Sequence, residues 1–360
     1  MHATLIVSFI AILLAYLARY QNFRYGLETA FVLLTVFIGI RYNWGNDYHS
    51  YYQLYLTITN SPSESLSSFR SEVGWNFINR ISTTIGFFGM VILLTVFEYV
   101  VIYYMIKKHV RKEWYWLSVF IFTLSVAFML VTSSMMRQFL AVCVFMIAFE
   151  LLLNRKWIVS ILLILLSSLF HRSALILLPF AGIAVLNINL SRKGAGVWFL
   201  MYLVMYFFAV DLLGNLFFKL IELEQFEKYQ TYLFRDKGSI GSGLGVLFAM
   251  IMYFFLLDNQ KHQNVKMKRI FLMLAFAPLF EMFGDISPYT SRLAYYFSIF
   301  SIIVYPAMFG TIKNRMLRYG LLAGYILITL KSFFEFFNPI GIWHEFFYKY
   351  QTIFSASHWM

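Results

Sequence analysis

Along this chain, long apolar runs alternate with short polar or charged breaks, without the two-residue alternation that would mark the strands of a membrane barrel. A helix needs about 20 apolar residues to cross a hydrocarbon core of roughly 30 Å. About twelve runs qualify as candidates, near residues 3–18, 26–40, 86–106, 114–133, 138–153, 157–170, 173–188, 196–213, 243–258, 270–284, 292–310 and 319–337. Several are short, so a couple are expected to tilt, re-enter or pair differently, and the second and sixth carry the weakest signal. A backbone in lipid must satisfy its own hydrogen bonds, which makes helices nearly obligatory. The pattern therefore predicts an all-α integral membrane protein, a single polytopic domain over residues 1–360. The first run has no basic residues before it and no small-residue cleavage site, and reads as a retained span.

Composition agrees. Of the 360 residues 61% are hydrophobic and 13% charged, against about 25% charged in a soluble domain. A net charge of +12 would suit nucleic acid, but the cations fall in short clusters between apolar runs, a topogenic arrangement. Alternate connections carry Arg19 and Arg24; Lys107, Lys108, Arg111 and Lys112; Arg155 and Lys156; Arg192 and Lys193; Lys261, Lys266, Lys268 and Arg269; and Lys313, Arg315 and Arg318. These are expected on the cytoplasmic side. The lone cysteine, Cys143, lies in an apolar segment and offers neither a disulfide nor a thiol metal site.

The other connections would then face outward, and they hold the candidate chemistry. Residues 41–86 form an external motif loop, in which "SEVGWNFINRISTTIG" spaces Val73, Trp75 or Asn76, Phe77, Ile78 and Ile81 as on a helix lying at the membrane surface. Residues 214–242 mix acids, Lys228, Arg235 and Lys237 with a glycine-rich end, as in a hinged lid.

Four outward junctions each supply an arginine: Arg41, Arg137 beside Gln138, Arg172 after His171, and Arg292 near Asp285. Each has a plainer reading, such as a snorkelling cation, an interfacial histidine or a local Asp285–Arg292 pair. Together they are harder to explain by anchoring, and guanidinium forks suit phosphate and pyrophosphate. Asp47, Glu72 and His171 are the nearby proton acceptors. Tyr42, Tyr48, Tyr51 and Tyr52, with Gln138, offer faces and polar groups for a sugar, although an ordinary aromatic belt would use tyrosines too. No Asp-x-Asp pair, His-Glu-x-x-His helix or nucleotide loop occurs, so no metal and no cofactor are expected.

"RYNWGNDYHSYY" resembles the Arg-Tyr-x-x-Gly-x-Asp-Tyr signature of the EpsG-like, Wzy-type bacterial polysaccharide polymerases. "SSMMRQFLA", "LLSSLFHRSALILLP" and "SRLAYYFSIFSIIVYP" are similar to that family's Arg-Gln, Phe-His and Arg-Leu-x-Tyr-Tyr elements, while Val73 stands where a proline is common. The resemblance implies a GT-C-like bundle in the bacterial cytoplasmic membrane, with its site facing the periplasm or exterior. Such an enzyme moves a glycan from polyprenyl (undecaprenyl) pyrophosphate to a second lipid-linked repeat, without metal and with inversion. Arg41, Arg137, Arg292 and Arg172 would bind the pyrophosphate, and Asp47, then Glu72 or His171, would act as base. Partners would be lipid-linked oligosaccharides, membrane lipid and a chain-length regulator protein, with no nucleic acid. A transporter or flippase of lipid-linked saccharides is the alternative from another class, and a membrane acyltransferase the third.

Overall fold

The computed structural model describes residues 1–69, 71–185, 191–221, 244–282, 288–339, 341 and 344–355. These residues form helices and connecting loops, with an isolated antiparallel bridge between Arg41 and Thr352. Two compact units divide the chain, Met1–Val185 with Tyr325–Met360, and Leu186–Gly324.

The first unit contains α1 (His2–Leu17), α2 (Gly26–Gly39), α3 (Tyr48–Asn60), α4 (Val73–Ile81), α5 (Gly86–His109), α6 (Tyr115–Leu124), α7 (Met129–Ser134), α8 (Met136–Leu153), α9 (Trp157–Phe170) and α10 (Leu177–Val185). The second contains α11 (Arg192–Ile221), α12 (Leu244–Asn259), α13 (Val265–Met282), α14 (Pro288–Ser298) and α15 (Ser301–Thr311). α16 (Arg315–Phe336) has a part in each unit, and α17 (His344–Phe347) returns to the first.

Helices occupy all twelve apolar runs. Among the described residues, four are long and apolar enough to cross a membrane: α5, α8, α12 with its following turn, and α16. A fifth is α14 from Arg292 with α15, if that pair, bent by 44°, counts as one span. α1, α9 and Arg172–Gly182 are apolar but shorter. The run at 114–133 is broken between α6 and α7, where Ser125 turns extended and Phe128 leaves the helical region. The run at 173–188 opens with a 3-10 segment over Arg172–Ile176.

Side-chain placement explains why these helices belong in lipid. In α1, Thr4, Ser8, Ala11 and Ala15 face inward, while Ile6, Phe9, Ile10 and Leu13 are exposed. In α9, Ser160 and Ser167 face inward, while Ile158, Leu162, Leu165 and Leu169 point out. Small and hydroxyl residues let helices approach closely, and large apolar ones meet a solvent as apolar as themselves. α8 is the exception that defines the centre, being buried along almost its whole length.

Residues 41–86 are more ordered than a loop. Tyr48, Tyr51, Tyr55 and Ile58 form the buried stripe of α3, and the three tyrosines with Trp75 of α4 pack on Phe87, Met90, Val91 and Leu94 of α5 and on Met136, Leu140 and Val144 of α8. α4 buries Gly74, Trp75, Asn76 and Asn79 and exposes Val73, Phe77 and Ile81. That outward apolar stripe suits a helix lying on a membrane surface. Of the segment 214–242, residues up to Ile221 continue α11 and the rest lies outside the described residues.

Within the second unit, Trp198 Nε1 of α11 donates to Tyr253 Oη of α12 at 2.8 Å, which donates in turn to the Ala275 carbonyl of α13 at 2.7 Å. Phe280 and Phe297 stack at 4.9 Å between α13 and α14.

Candidate active site

Glu72 is the organising residue. It precedes α4 in extended backbone, and its carboxylate caps no N–H of that helix. The carboxylate instead lies between the first turn of α8 and the end of α9. Arg137 Nη1 of α8 donates to Oε2, and His171 Nδ1 lies 3.3 Å from Oε1. The backbone N–H of Arg172, opening the 3-10 turn, is directed at the same oxygen at 3.4 Å. The Glu72 side chain is 13% exposed. Burial alone would raise its pKa, but His171 and the Arg137 charge outweigh that and hold the carboxyl at about 2.

Arg137 Nε and His171 Nδ1 are both buried without a hydrogen-bond partner among the described residues, because the imidazole is within ionic reach of Glu72 but off the line a hydrogen bond requires. The Arg137 guanidinium carbon lies 5.7 Å from the centre of the Tyr51 ring, at cation–π range. Asp47 stands one helical turn before Tyr51, whose N–H bonds the Asp47 carbonyl at 3.0 Å, and its own N–H donates to Ser134 Oγ at 2.9 Å. The Arg172 side chain is exposed.

Arg41 has a different task. It is 2% exposed, and Nη1 donates to the Ile38 carbonyl at 2.7 Å while Nη2 donates to the Ser133 carbonyl at 2.9 Å. Thr95 Oγ1 lies 3.4 Å from Nη1, and Tyr48 Oη donates to the Arg41 carbonyl at 3.1 Å. This fork ties the end of α2 to the end of α7, so its two terminal nitrogens are engaged inside the bundle, while Nε is buried without a hydrogen-bond partner among the described residues. Tyr48 and Tyr51 are buried, whereas Tyr42 is half-buried. Gln138 is buried in α8, and Arg292 lies exposed on α14 of the second unit. Asp285, its proposed neighbour, lies outside the described residues.

The loop from Ile40 to Asp47 is held by a distant piece of chain. Tyr42 N–H donates to the Gln351 carbonyl at 2.9 Å, Ile353 N–H to the Ile40 carbonyl at 2.9 Å, and Gly45 N–H to the Phe346 carbonyl at 3.0 Å. Trp44, fully buried, donates from Nε1 to the Phe347 carbonyl at 3.0 Å, and Tyr350 stacks on Phe37 at 4.2 Å. Gly45 has φ of +120°, and a Cβ there would sit 3.3 Å from Ser134 Cα and Cβ, so only glycine fits without strain. Sequence reasoning missed Ser133, Ser134, Trp44 and this C-terminal strap. The one signal was the polar triplet Thr132-Ser133-Ser134 inside an apolar run.

The site thus gathers a guanidinium, an imidazole and an ionised carboxylate, with Asp47 beside the tyrosine that faces the guanidinium. It can hold an anion and accept a proton from a hydroxyl. No curated protein and no solved structure matches the chain. A family model described as the EpsG family matches residues 25–352. With nearly its whole length matched, the chain belongs to the EpsG family, the family of Wzy-type polysaccharide polymerases.

Proposed function

We propose that this protein polymerises lipid-linked oligosaccharide repeats, transferring a growing glycan from polyprenyl pyrophosphate to the hydroxyl of an acceptor lipid-linked repeat. The observation that carries the reading is the Glu72–Arg137–His171 cluster, assembled from three separate stretches of chain with donors left unfilled. In such a transfer the acceptor oxygen bonds to the anomeric carbon, the bond to the pyrophosphate oxygen breaks, and the hydroxyl proton passes to a base. Negative charge grows on the leaving group, and preorganised cations stabilise it where it develops. Arg137 and Arg172 are suited to that role, with Arg41 supporting the site by holding α2 to α7.

A carboxylate whose acid form ionises at about 2 gains little by taking a proton. Glu72 is better suited to orienting Arg137 and His171, and Asp47 remains the preferred base. Membership of the family supports a GT-C-like bundle in the bacterial cytoplasmic membrane, the twelve apolar runs support twelve spans, and the clustered cations of the alternate connections support an outward-facing site. The reaction is taken as metal-independent and inverting.

One observation favours a second reading, transport of lipid-linked saccharides. Glu98, midway along α5, is buried, with Oε1 unpartnered among the described residues, and buried intramembrane carboxylates mark substrate or proton pathways in transporters. The test separates the two readings. Purified protein in detergent, given synthetic lipid-linked repeats without nucleotide sugar or metal, should produce a ladder of lengthening glycans. A silent ladder assay together with saccharide flipping in vesicles would overturn polymerisation.

A further inference from the structure

The cluster needs α4 to pass close to the end of α9, and a glycine stands at that contact. A Cβ built on Gly74 would stand 2.7 Å from the Leu169 carbonyl oxygen, 2.8 Å from Leu169 Cβ and 2.9 Å from the Leu169 carbonyl carbon. Two of these are backbone atoms in the last turn of α9, where the His171 N–H still bonds the Ser167 carbonyl at 3.1 Å. They cannot swing aside as a side chain would.

The placement along the chain is what matters. Glu72 lies two residues before Gly74 and His171 two residues after Leu169, so the closest approach sits within one turn of both partners. The far side of α4 is also fixed: Trp75 is fully buried with its ring 5.3 Å from Tyr51, and Asn76 Nδ2 donates to the carbonyls of Leu66 and Ser71 at 2.8 and 3.0 Å. With that side held, added bulk at position 74 must lift the start of α4 away from α9. A shift of about 1 Å in a supporting element is enough to cost roughly 100-fold in rate when it misplaces reacting groups.

We propose that Gly74 is a positioning residue, whose missing side chain forms the seat that brings the Glu72 carboxylate to His171 and Arg137. The proposal rests on the functional reading of that cluster. Small residues at membrane-helix contacts permit close backbone approach in general. Here the approach serves a particular ionic contact rather than packing alone.

The test is a double-mutant cycle on polymerisation of synthetic lipid-linked repeats by purified, monodisperse protein. Gly74→Ala should slow elongation at least tenfold, and the Gly74→Ala/Glu72→Gln double variant should be no slower than Glu72→Gln alone. Gly26→Ala, which crowds α1 and α2 at the Leu14 carbonyl, is the control for simple crowding, and its effect should multiply with Glu72→Gln. Where Gly74→Ala does not fold, Leu169→Gly removes one wall of the seat without adding an atom, and the same non-additivity is expected. Elongation within twofold of the parent, or effects that multiply as for Gly26→Ala, would overturn the proposal. A readout independent of activity is the imidazole resonance of His171 in histidine-labelled protein. Glu72→Gln should move it, and Gly74→Ala should move it to the same place. An unmoved resonance in Gly74→Ala would defeat the seat even if the parent makes polymer, whereas a parent that makes no polymer but shows the shift would defeat only the proposed function.

Discussion

The two ends of α8 each meet an ionic cluster built on a glutamate, and the clusters differ in how fully they are satisfied. In the last turn, Glu150 accepts from Lys108 Nζ at 2.7 Å and Asn154 Nδ2 at 2.9 Å on one oxygen, and from His109 Nε2 at 2.6 Å on the other. Its side chain is 7% exposed. Beside the first turn, Glu72 likewise has a basic side chain and an imidazole as neighbours, yet a guanidinium nitrogen and an imidazole nitrogen are buried without a hydrogen-bond partner among the described residues. A saturated network holds helices together, whereas buried donors left open cost free energy that a bound ligand would recover. The first cluster reads as a clasp, whereas the second keeps two buried nitrogens able to engage a further polar group.

Substitution should separate these roles, and the largest expected effect is on rate. Arg137→Ala and Glu72→Gln should each reduce polymer formation by roughly 100-fold while folded protein persists. Glu150→Ala should do the reverse, costing about 3 kcal/mol of stability by stranding Lys108 and His109, with the rate per folded molecule unchanged. Ladder assays normalised to monodisperse protein distinguish the outcomes. Equal losses of rate at both glutamates would erase the contrast.

Acid sharpens the comparison next. The folded Glu72 pKa, about 2, lies below that of an unfolded glutamate, so ionised Glu72 contributes stability above that ordinary value and loses it as pH falls toward 2. The contribution is about 3 kcal/mol at most. Thermal unfolding of the parent and of Glu72→Gln should therefore converge progressively below pH of about 4. A gap that widens on acidification would contradict the sign.

Smaller effects are expected where charge supports architecture. Arg41→Lys should cost about 2 kcal/mol, since an ammonium cannot bridge the Ile38 and Ser133 carbonyls as the planar fork does. Lowest of all is Lys107→Ala, which removes an ion pair to Glu28 at 2.6 Å from a lysine side chain 53% exposed. Less than 1 kcal/mol should be lost there. Melting temperatures check both, and an order reversed between them would show that burial does not govern these contacts.

Helix positions were legible because lipid requires apolar runs, and α5, α8, α9 and α12 begin and end close to the limits of those runs. The break between α6 and α7 was not, since Val126, Ala127 and Phe128 continue the apolar character while the backbone turns. Tyr48, Tyr51 and Tyr55 do carry helical spacing, but tyrosines at a membrane edge resemble an interfacial belt, which concealed the buried stripe of α3. Sequence order named Glu72, Arg137 and His171 among the candidates, and the fold brings these three together. It could not show that Arg41 turns inward, because its acceptors are backbone carbonyls that no residue type announces.

The strap across the Ile40–Asp47 loop sets an order of events during synthesis. Trp44 and Phe37 find their partners in Phe347 and Tyr350, some three hundred positions further on. The signature loop therefore cannot settle into its final shape until almost the entire polypeptide has left the ribosome. Nascent chains stalled before Phe347 would carry α1 to α16 and still lack the strap that closes this loop.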